Sequence, residues 1–105
     1  MTFAEVMQGM VANFNPAKAK GVNAVVELNA SGEGGGSYHL KVADGKCELK
    51  EGKAPSPTVT IDVAAQDWID IATGKMEPTR AFMLGKLRIK GDLGLMMRFQ
   101  GMFAA

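Results

Sequence analysis

The segment YHLKVADGKCEL, residues 38–49, decides the fold, because two runs of alternating apolar and polar side chains flank an Asp-Gly pair. Alternation with period two is typical of a β-strand that has one buried and one solvent-exposed face. Asp44-Gly45 is a strong signal for a two-residue turn between antiparallel strands. The segment therefore predicts a β-hairpin whose buried face carries Tyr38, Leu40, Val42, Cys47 and Leu49.

Three further runs outside this hairpin alternate in the same way, at residues 22–29, 58–63 and 86–90. In each run the apolar side chains share one face, while the opposite face is mostly polar. This pattern is typical of an antiparallel or mixed sheet that is covered on one side only. The five runs together predict a five-stranded, mostly antiparallel sheet with one buried face.

Four segments are predicted to be helical, at residues 2–14, 64–73, 79–84 and 93–103. Thr2 followed by Glu5 fits a capping box, and Asp92 is a good N-cap for the last helix. Gly74 and Gly85 each follow a helix and are predicted to end it. The predicted fold class is α+β, a single domain over residues 1–105 with helices on the dry face of the sheet.

The composition excludes several classes of function. Twelve basic and eleven acidic residues give a net charge of +1, so we expect no nucleic-acid partner. One cysteine and one histidine are too few for a structural zinc site, and we expect neither a metal nor a cofactor. No apolar run approaches the roughly 20 residues of a membrane span. The start of the chain has no basic and apolar leader, which favours a cytoplasmic protein.

No group of residues predicts catalysis. His39 lies on the polar face of a strand with no acidic or nucleophilic partner beside it, and Cys47 is predicted to be an inert, buried thiol. The glycine-rich segment 31–37 leads into a strand and matches no phosphate-binding motif. Asp67 and Asp70, one helical turn apart, are interpreted as solvated acids near a helix start. We therefore expect no enzyme activity.

The sequence after Gly74 holds more apolar side chains than one core stripe needs, including five of the eight methionines. The last helix is apolar almost all round, and only Arg98 interrupts it strongly. A helix of this kind is expected to be buried on more than one side. The surplus therefore lines a cavity for an apolar ligand, contacts a second subunit or rests on a membrane.

Basic residues are concentrated in the same part of the chain. From Lys75 onward there are six basic and two acidic residues, whereas residues 1–74 carry a net charge of −3. Lys86, Arg88 and Lys90 form a basic row on one strand face. The row is either a solvated surface or an attraction for an anionic ligand head or membrane.

The segment AFMLGKLRIKGDLGLM, residues 81–96, resembles the sterol carrier protein 2 family, also called the sterol-binding domain family. The specific feature is the run GKLRIKGD at residues 85–92, followed by an apolar helix. The run 61–63 with the Trp68 helix after it also fits, as does the Asp-Gly hairpin. The resemblance covers about residues 20–103.

The resemblance implies that the sheet and helices enclose a hydrophobic tunnel. It further implies non-catalytic, broadly selective binding of fatty acids, fatty acyl-CoA, sterols or other lipids. Gln100 occupies a position where members of the family can have a polar tunnel residue. With the apolar stripe of the last helix, the predicted lipid-binding residues are Trp68, Ile71, Phe82, Met83, Leu93, Met96, Met97, Gln100 and Phe103.

The alternative function is that of a protein-interaction module. In that case the apolar C-terminal helix forms a homodimer or docks on a lipid-metabolising enzyme. Transient membrane contact is a further partner prediction. Peroxisomal members of the family end in a Ser-Lys-Leu type signal, whereas this sequence ends Phe103-Ala104-Ala105, so we expect no peroxisomal import by that signal.

Overall fold

A five-stranded sheet forms the base of the fold. The computed structural model describes residues 2–103, except for the side chain of Gln100. The strands are β1 Ala24–Ser31, β2 Gly36–Ala43, β3 Lys46–Glu51, β4 Val59–Ala64 and β5 Leu87–Gly91. In the sheet, β1 and β4 at the centre run parallel, and the other three neighbouring pairs are antiparallel, in the order β3-β2-β1-β4-β5. The fold class predicted from the alternation is therefore confirmed.

The helices cover one face of the sheet. They are α1 Phe3–Ala12, α2 Ala65–Ala72, α3 Pro78–Met83 and α4 Leu93–Met102. The sequence predicted a first helix over residues 2–14, but it ends at Ala12. A short 3₁₀ turn that the sequence did not predict follows at Pro16–Ala19. It begins because the Asn15 side chain accepts a hydrogen bond from the Ala17 N–H at 3.1 Å, and proline is tolerated at a first helical position.

The hairpin between β2 and β3 has the turn that its sequence predicts. Asp44 and Gly45 have φ angles of 54° and 70°, and two positive φ angles are those of a type I′ turn. The turn sets the register so that Leu40 lies opposite Leu49 and Val42 lies opposite Cys47. The predicted buried face of the hairpin is thereby placed toward the helices.

Glu27 lies on the polar face of β1, as predicted, but it is buried there, with only 6% of its surface exposed. The loop after β3 covers it. The Ala54 N–H donates to Glu27 Oε1 at 2.8 Å, and Asn29 Nδ2 donates to Glu27 Oε2 at 2.9 Å. Hydrogen bonds to both oxygens make the burial of the carboxyl group tolerable.

Gly91 ends β5 at a position that only glycine fits. Its φ is 110°, and a Cβ atom there would collide with the backbone oxygen of Thr58. The Asp92 N–H donates to the same oxygen at 3.3 Å. Asp92 Oδ1 then accepts from the Leu95 N–H at 3.0 Å, so the predicted N-cap of α4 is confirmed.

The core lies between the inner face of the sheet and the helices. The largest fully buried side chains are Phe3, Met7, Leu28, Leu40, Ile61, Met102, Val26, Val42 and Val59. Helix α4 buries Met96, Phe99 and Met102. The expectation that α4 is buried on more than one side is wrong for its described side chains, because Leu93 and Met97 are 53% and 77% exposed.

Candidate functional site

A cavity of about 480 Å³ lies between the helices at one end of the core. Helix α1 and the residue after it form one wall, with Glu5, Val6, Gly9, Met10 and Asn13. Because Glu5 and Asn13 are exposed, this wall reaches solvent. The cavity is therefore open to solvent along α1, and the lining residues Ala72 and Thr73 at the end of α2 are exposed as well.

The other walls come from four elements. Helix α2 and the residue after it contribute Trp68, Ile71, Ala72 and Thr73. Helix α3, strand β5 and helix α4 with the residue that follows it supply the remainder, namely Pro78, Leu87, Met96, Phe99 and Phe103. No single element builds the cavity, so its lining depends on the packing of the whole helical layer.

Four of the predicted lipid-binding residues meet at this cavity: Trp68, Ile71, Met96 and Phe103. Their elements explain why. Helix α2 turns Trp68 inward, with 6% of its surface exposed, and α4 turns Met96 inward, with 4% exposed. The rings of Phe99 and Phe103 lie 4.7 Å apart between centroids, which gives the α4 wall an aromatic surface.

Four other predicted residues lie outside the cavity lining and are exposed. Helix α3 buries Ala81 against the core, so the next two side chains, Phe82 and Met83, are 46% and 79% exposed. On α4 the inward positions of Met96 and Phe99 leave the remaining pair, Leu93 and Met97, on the outer side. The side chain of Gln100 lies outside the described part of the structure.

The sequence interpretation missed the contribution of α1. Its apolar stripe predicted only core packing, and Phe3 and Met7 are indeed buried in the core. Val6 and Met10, one turn apart on the same helix, line the cavity with Gly9 between them. A glycine beside an apolar stripe is the signal that could have suggested free space, because it leaves no side chain to fill the gap.

Among the described residues that line the cavity, Glu5 has the only ionisable side chain. The Thr2 N–H donates to Glu5 Oε1 at 2.9 Å, which completes the predicted capping box of α1. Hydrogen bonds with the Thr2 backbone and then with its side chain lower the pKa of the Glu5 carboxyl. The mouth of the cavity therefore carries a carboxylate at neutral pH, whereas its interior is apolar.

Trp68 combines an apolar ring with an unsatisfied donor. Its Nε1 atom is buried, and no described part of the chain offers it a hydrogen-bond acceptor. A buried donor left without a partner costs about 1–3 kcal/mol, so Trp68 is held in place by packing. As the only tryptophan of the chain, it also reports optically on the cavity that it lines.

The other polar residues singled out in the sequence lie away from the cavity lining. His39 Nδ1 is 2.9 Å from the Gly52 carbonyl oxygen, on the sheet face that the helices leave open. Burial, and after it the nearby Glu48 carboxylate, raises the pKa of the Cys47 thiol to about 11. Within residues 2–103, no three His, Cys, Asp or Glu side chains are grouped so as to hold a metal ion. The cavity itself offers apolar contact rather than a reactive group.

A sequence model of the SCP-2 sterol transfer family matches residues 6–104. The chain belongs to this family. Among curated relatives, hydroxysteroid dehydrogenase-like protein 2 of Xenopus tropicalis is 33% identical over 97 residues, and the human protein of that name is 30% identical over 82 residues. These matches cover 91% and 77% of this chain but only 23% and 20% of the relatives. The chain thus spans less than a quarter of their length.

Solved structures share the SCP-2 fold at low sequence identity. Palmitated SCP2L2 from Aedes aegypti has a TM-score of 0.79 at 21% identity, with 100% of this chain and 96% of that chain covered. A double mutant of the sec-alkyl sulfatase PisA1 has a TM-score of 0.89 at 18% identity, where this chain matches 17% of the sulfatase. The fold therefore occurs both as a near-complete chain and as a small part of a larger one.

In the described part of this chain, every helix is too short or too polar to cross a membrane.

Proposed function

We propose that residues 1–105 act as one non-catalytic lipid-binding domain that holds a fatty acid, a fatty acyl-CoA or a sterol-like molecule in the cavity. The observation that carries the proposal is the apolar cavity of about 480 Å³, in a chain of the SCP-2 sterol transfer family. This volume lies within the roughly 300–1,000 Å³ of typical small-molecule sites. The palmitated relative supports an acyl ligand.

The free energy of binding would come from removing the acyl chain from water. Each buried methylene group contributes about 0.8 kcal/mol. Ten such groups give about 8 kcal/mol before ordering costs, which corresponds to a dissociation constant of about 1 μM. Useful affinity therefore needs no polar anchor, and lipids with different head groups would bind with similar strength.

The charges of the lining favour one orientation of the ligand. The part of the lining that the structure describes contains no Lys or Arg, so none there would neutralise a carboxylate or phosphate. The Glu5 carboxylate at the mouth would repel an anionic head group that approached it. We therefore place the acyl chain between Trp68, Ile71, Met96 and Phe99, with the head group in solvent near the exposed residues Ala72 and Thr73 rather than beside Glu5.

The name shared by the curated relatives suggests dehydrogenase activity, which is no part of this proposal. The match spans 23% of the Xenopus tropicalis protein, so the greater part of that relative has no counterpart here.

A cytoplasmic location is also proposed, because the single thiol of the chain cannot form an internal disulfide. Cell fractionation with an antibody to the protein tests the location.

Ile71→Gln tests the proposed site, because it places an amide in the cavity wall. We expect fatty-acid affinity to fall about tenfold or more, since the ligand would have to cover a polar group without a good partner. The readout is a titration with oleate or palmitate followed by Trp68 fluorescence and confirmed by calorimetry.

Ile69→Gln is the matched control. Ile69 lies on the same helix and is also half-buried against the core, but it is not among the cavity-lining residues. Both variants are expected to lose some stability, and only Ile71→Gln to lose lipid affinity. Equal affinities in the two variants, or no fatty-acid binding by the wild-type protein, would refute the proposed function.

A further inference from the structure

Strand β3 lies at one edge of the sheet, where β2 is its only described neighbour. The N–H of Gly52, directly after β3, donates to the Ser37 carbonyl oxygen at 2.8 Å. Hydrogen-bonded pairs alternate with non-bonded pairs along an antiparallel ladder, so the even-numbered residues of β3 bond to β2. The N–H and C=O groups of Cys47, Leu49 and Glu51 therefore point toward the free edge. A free edge of this kind can pair with another strand.

Exposed charges of alternating sign follow one another along β3. Lys46, Glu48 and Lys50 lie on the sheet face that the helices leave open. If two copies of β3 pair antiparallel with Leu49 opposite Leu49, each Glu48 lies opposite Lys50 of the other copy. These pairs occupy non-hydrogen-bonded positions, where facing side chains are closest and opposite charges stabilise the pairing. Within one chain Lys50 lies opposite His39, so its acidic partner would come from the second copy.

The other edge of the sheet, β5, lacks this complementarity. Its outer face carries Arg88 and Lys90, both of them exposed. Antiparallel pairing of two copies of β5 would set these basic side chains opposite each other, and facing like charges are destabilising. Pairing of β3 with β5 would give Glu48 a basic partner but would leave Lys46 or Lys50 opposite the other base. A second β3 is therefore the edge strand of this chain whose charges fit β3 best.

We propose that β3 pairs antiparallel with β3 of a second copy of the chain, about a two-fold axis at Leu49, and that the two sheets join into one of ten strands. Such an interface is closed, because the same strand supplies both sides. A register centred on Cys47 also pairs opposite charges, but it runs into the turn, where Asp44 has a φ of 54°. The register centred on Leu49 uses only residues 47–51, all of them in β3.

The proposed interface is separate from the surfaces already described. It does not involve the apolar side of α4, and no residue of β3 is among those that line the cavity. Dimerisation through β3 therefore does not rest on the proposed lipid-binding function. Either proposal can fail without the other.

Reversing single charges tests the pairing. Sedimentation velocity of the 105-residue wild-type protein should show an equilibrium between monomer and dimer. Glu48→Lys and Lys50→Glu each replace the two attractive pairs with two repulsive pairs, so we expect each variant alone to dimerise at least about tenfold more weakly. An equimolar mixture should dimerise within about threefold of wild type, because basic side chains of one variant then face acidic side chains of the other at both positions.

Lys46→Glu is the matched control. It makes the same change of charge as Lys50→Glu on the same face of β3, but position 46 faces Gly52 of the second copy in the proposed register. We expect the dimer of this variant to be within about twofold of wild type. In the register centred on Cys47, position 46 would instead face Glu48, so Lys46→Glu would weaken the dimer and the mixture would keep one repulsive pair. Thermal unfolding checks that every variant is folded.

Four outcomes would overturn the proposal: a wild-type protein that stays monomeric up to about 1 mM, a dimer that both charge variants retain, a mixture of the two that fails to associate, or equal losses in Lys46→Glu and Lys50→Glu. Met97→Gln separates this interface from the outer side of α4, where Met97 is exposed. It should leave the dimer intact. A dimer that Met97→Gln dissociates, while the charge variants retain it, would belong to α4 instead.

Discussion

The reactivity of the Cys47 thiol depends on where its side chain lies in the fold. Cys47 lies in the edge strand β3 with its side chain toward the core, and burial raises the pKa of its thiol to about 11 from an ordinary value of 9.0. At neutral pH the group is therefore a protonated, weakly polar filler rather than a nucleophile. The alternation of the sequence predicts this orientation.

The raised pKa of Cys47 leads to a prediction about its reactivity. At pH 8 the thiolate fraction should be about a hundredfold lower than in the unfolded chain, while the higher intrinsic nucleophilicity recovers about tenfold of this. We expect reaction with a disulfide reagent to be about tenfold slower in the folded protein than in urea. A folded protein that reacts as fast as the unfolded one would contradict the assigned position.

The same shift predicts a pH dependence of stability. Burial raises the pKa of Cys47 in the folded state. Its contribution to the free energy of unfolding is therefore fully present below pH 9.0 and is lost as the pH rises toward about 11. The difference in unfolding free energy between wild type and Cys47→Ala should therefore be constant from pH 7 to 9 and should then shrink. Urea denaturation across this range measures it.

The candidate site could be predicted only in part from single residues. Trp68 and Ile71 were identified through the family resemblance, and both line the cavity. Phe82 and Met83 were identified in the same way but are exposed, because the burial of Ala81 fixes the rotation of the short helix α3. A six-residue helix has too few turns for its apolar pattern to reveal that rotation.

Helix α4 also could be predicted only in part from the sequence. Its start was predictable, because Asp92 provides a cap by a local hydrogen bond to the Leu95 N–H. The buried side of α4 was not predictable, because apolar residues occur on nearly the whole circumference of the helix. Only contacts with the sheet and with the 3₁₀ turn select Met96, Phe99 and Met102 as the inner side.

Gly91 at the end of β5 leads to a prediction about stability. Gly91→Ala would place a Cβ against the Thr58 backbone oxygen, in a residue whose φ is 110°. We expect the unfolding free energy to fall by at least about 2 kcal/mol, since the left-handed region alone costs an L-residue about 1–2 kcal/mol. Urea denaturation measures the loss.

Gly101→Ala in α4 is the control for Gly91→Ala. A Cβ at position 101 would meet nothing within 4 Å, and alanine is the better helix former. Its stability should be equal to that of wild type or slightly higher. If both alanine variants were equally stable, the proposed constraint at the end of β5 would be wrong.

For the molecule as a whole, local patterns predicted the strands better than their arrangement. Asp44-Gly45 fixes the register of β2 and β3, so that pairing could be predicted. The parallel pairing of β1 with β4 joins residues 33 positions apart, such as Val26 and Val59, and no local signal specifies it. The cavity depends on that arrangement, because residues from Glu5 to Phe103 must meet to line it.

Ligand-linked stability tests the proposed function for the whole molecule. A fatty acid that binds only the folded state should add about 2.7 kcal/mol at a free concentration of 100 times Kd. For a chain of this size, Tm should then rise by roughly 10 °C or more. Differential scanning fluorimetry below the micellar concentration measures the shift, and Ile71→Gln should reduce it while Ile69→Gln keeps it.

The central claim is that the cavity, rather than the exposed apolar side chains of α3 and α4, holds the lipid chain. Isotope-filtered NMR with ¹³C-labelled palmitate tests it most directly. The account predicts nuclear Overhauser contacts from the acyl chain to the Ile71 and Met96 methyl groups and to the Trp68 ring. Contacts to Met83 and Met97 alone, or no contacts at all, would contradict it.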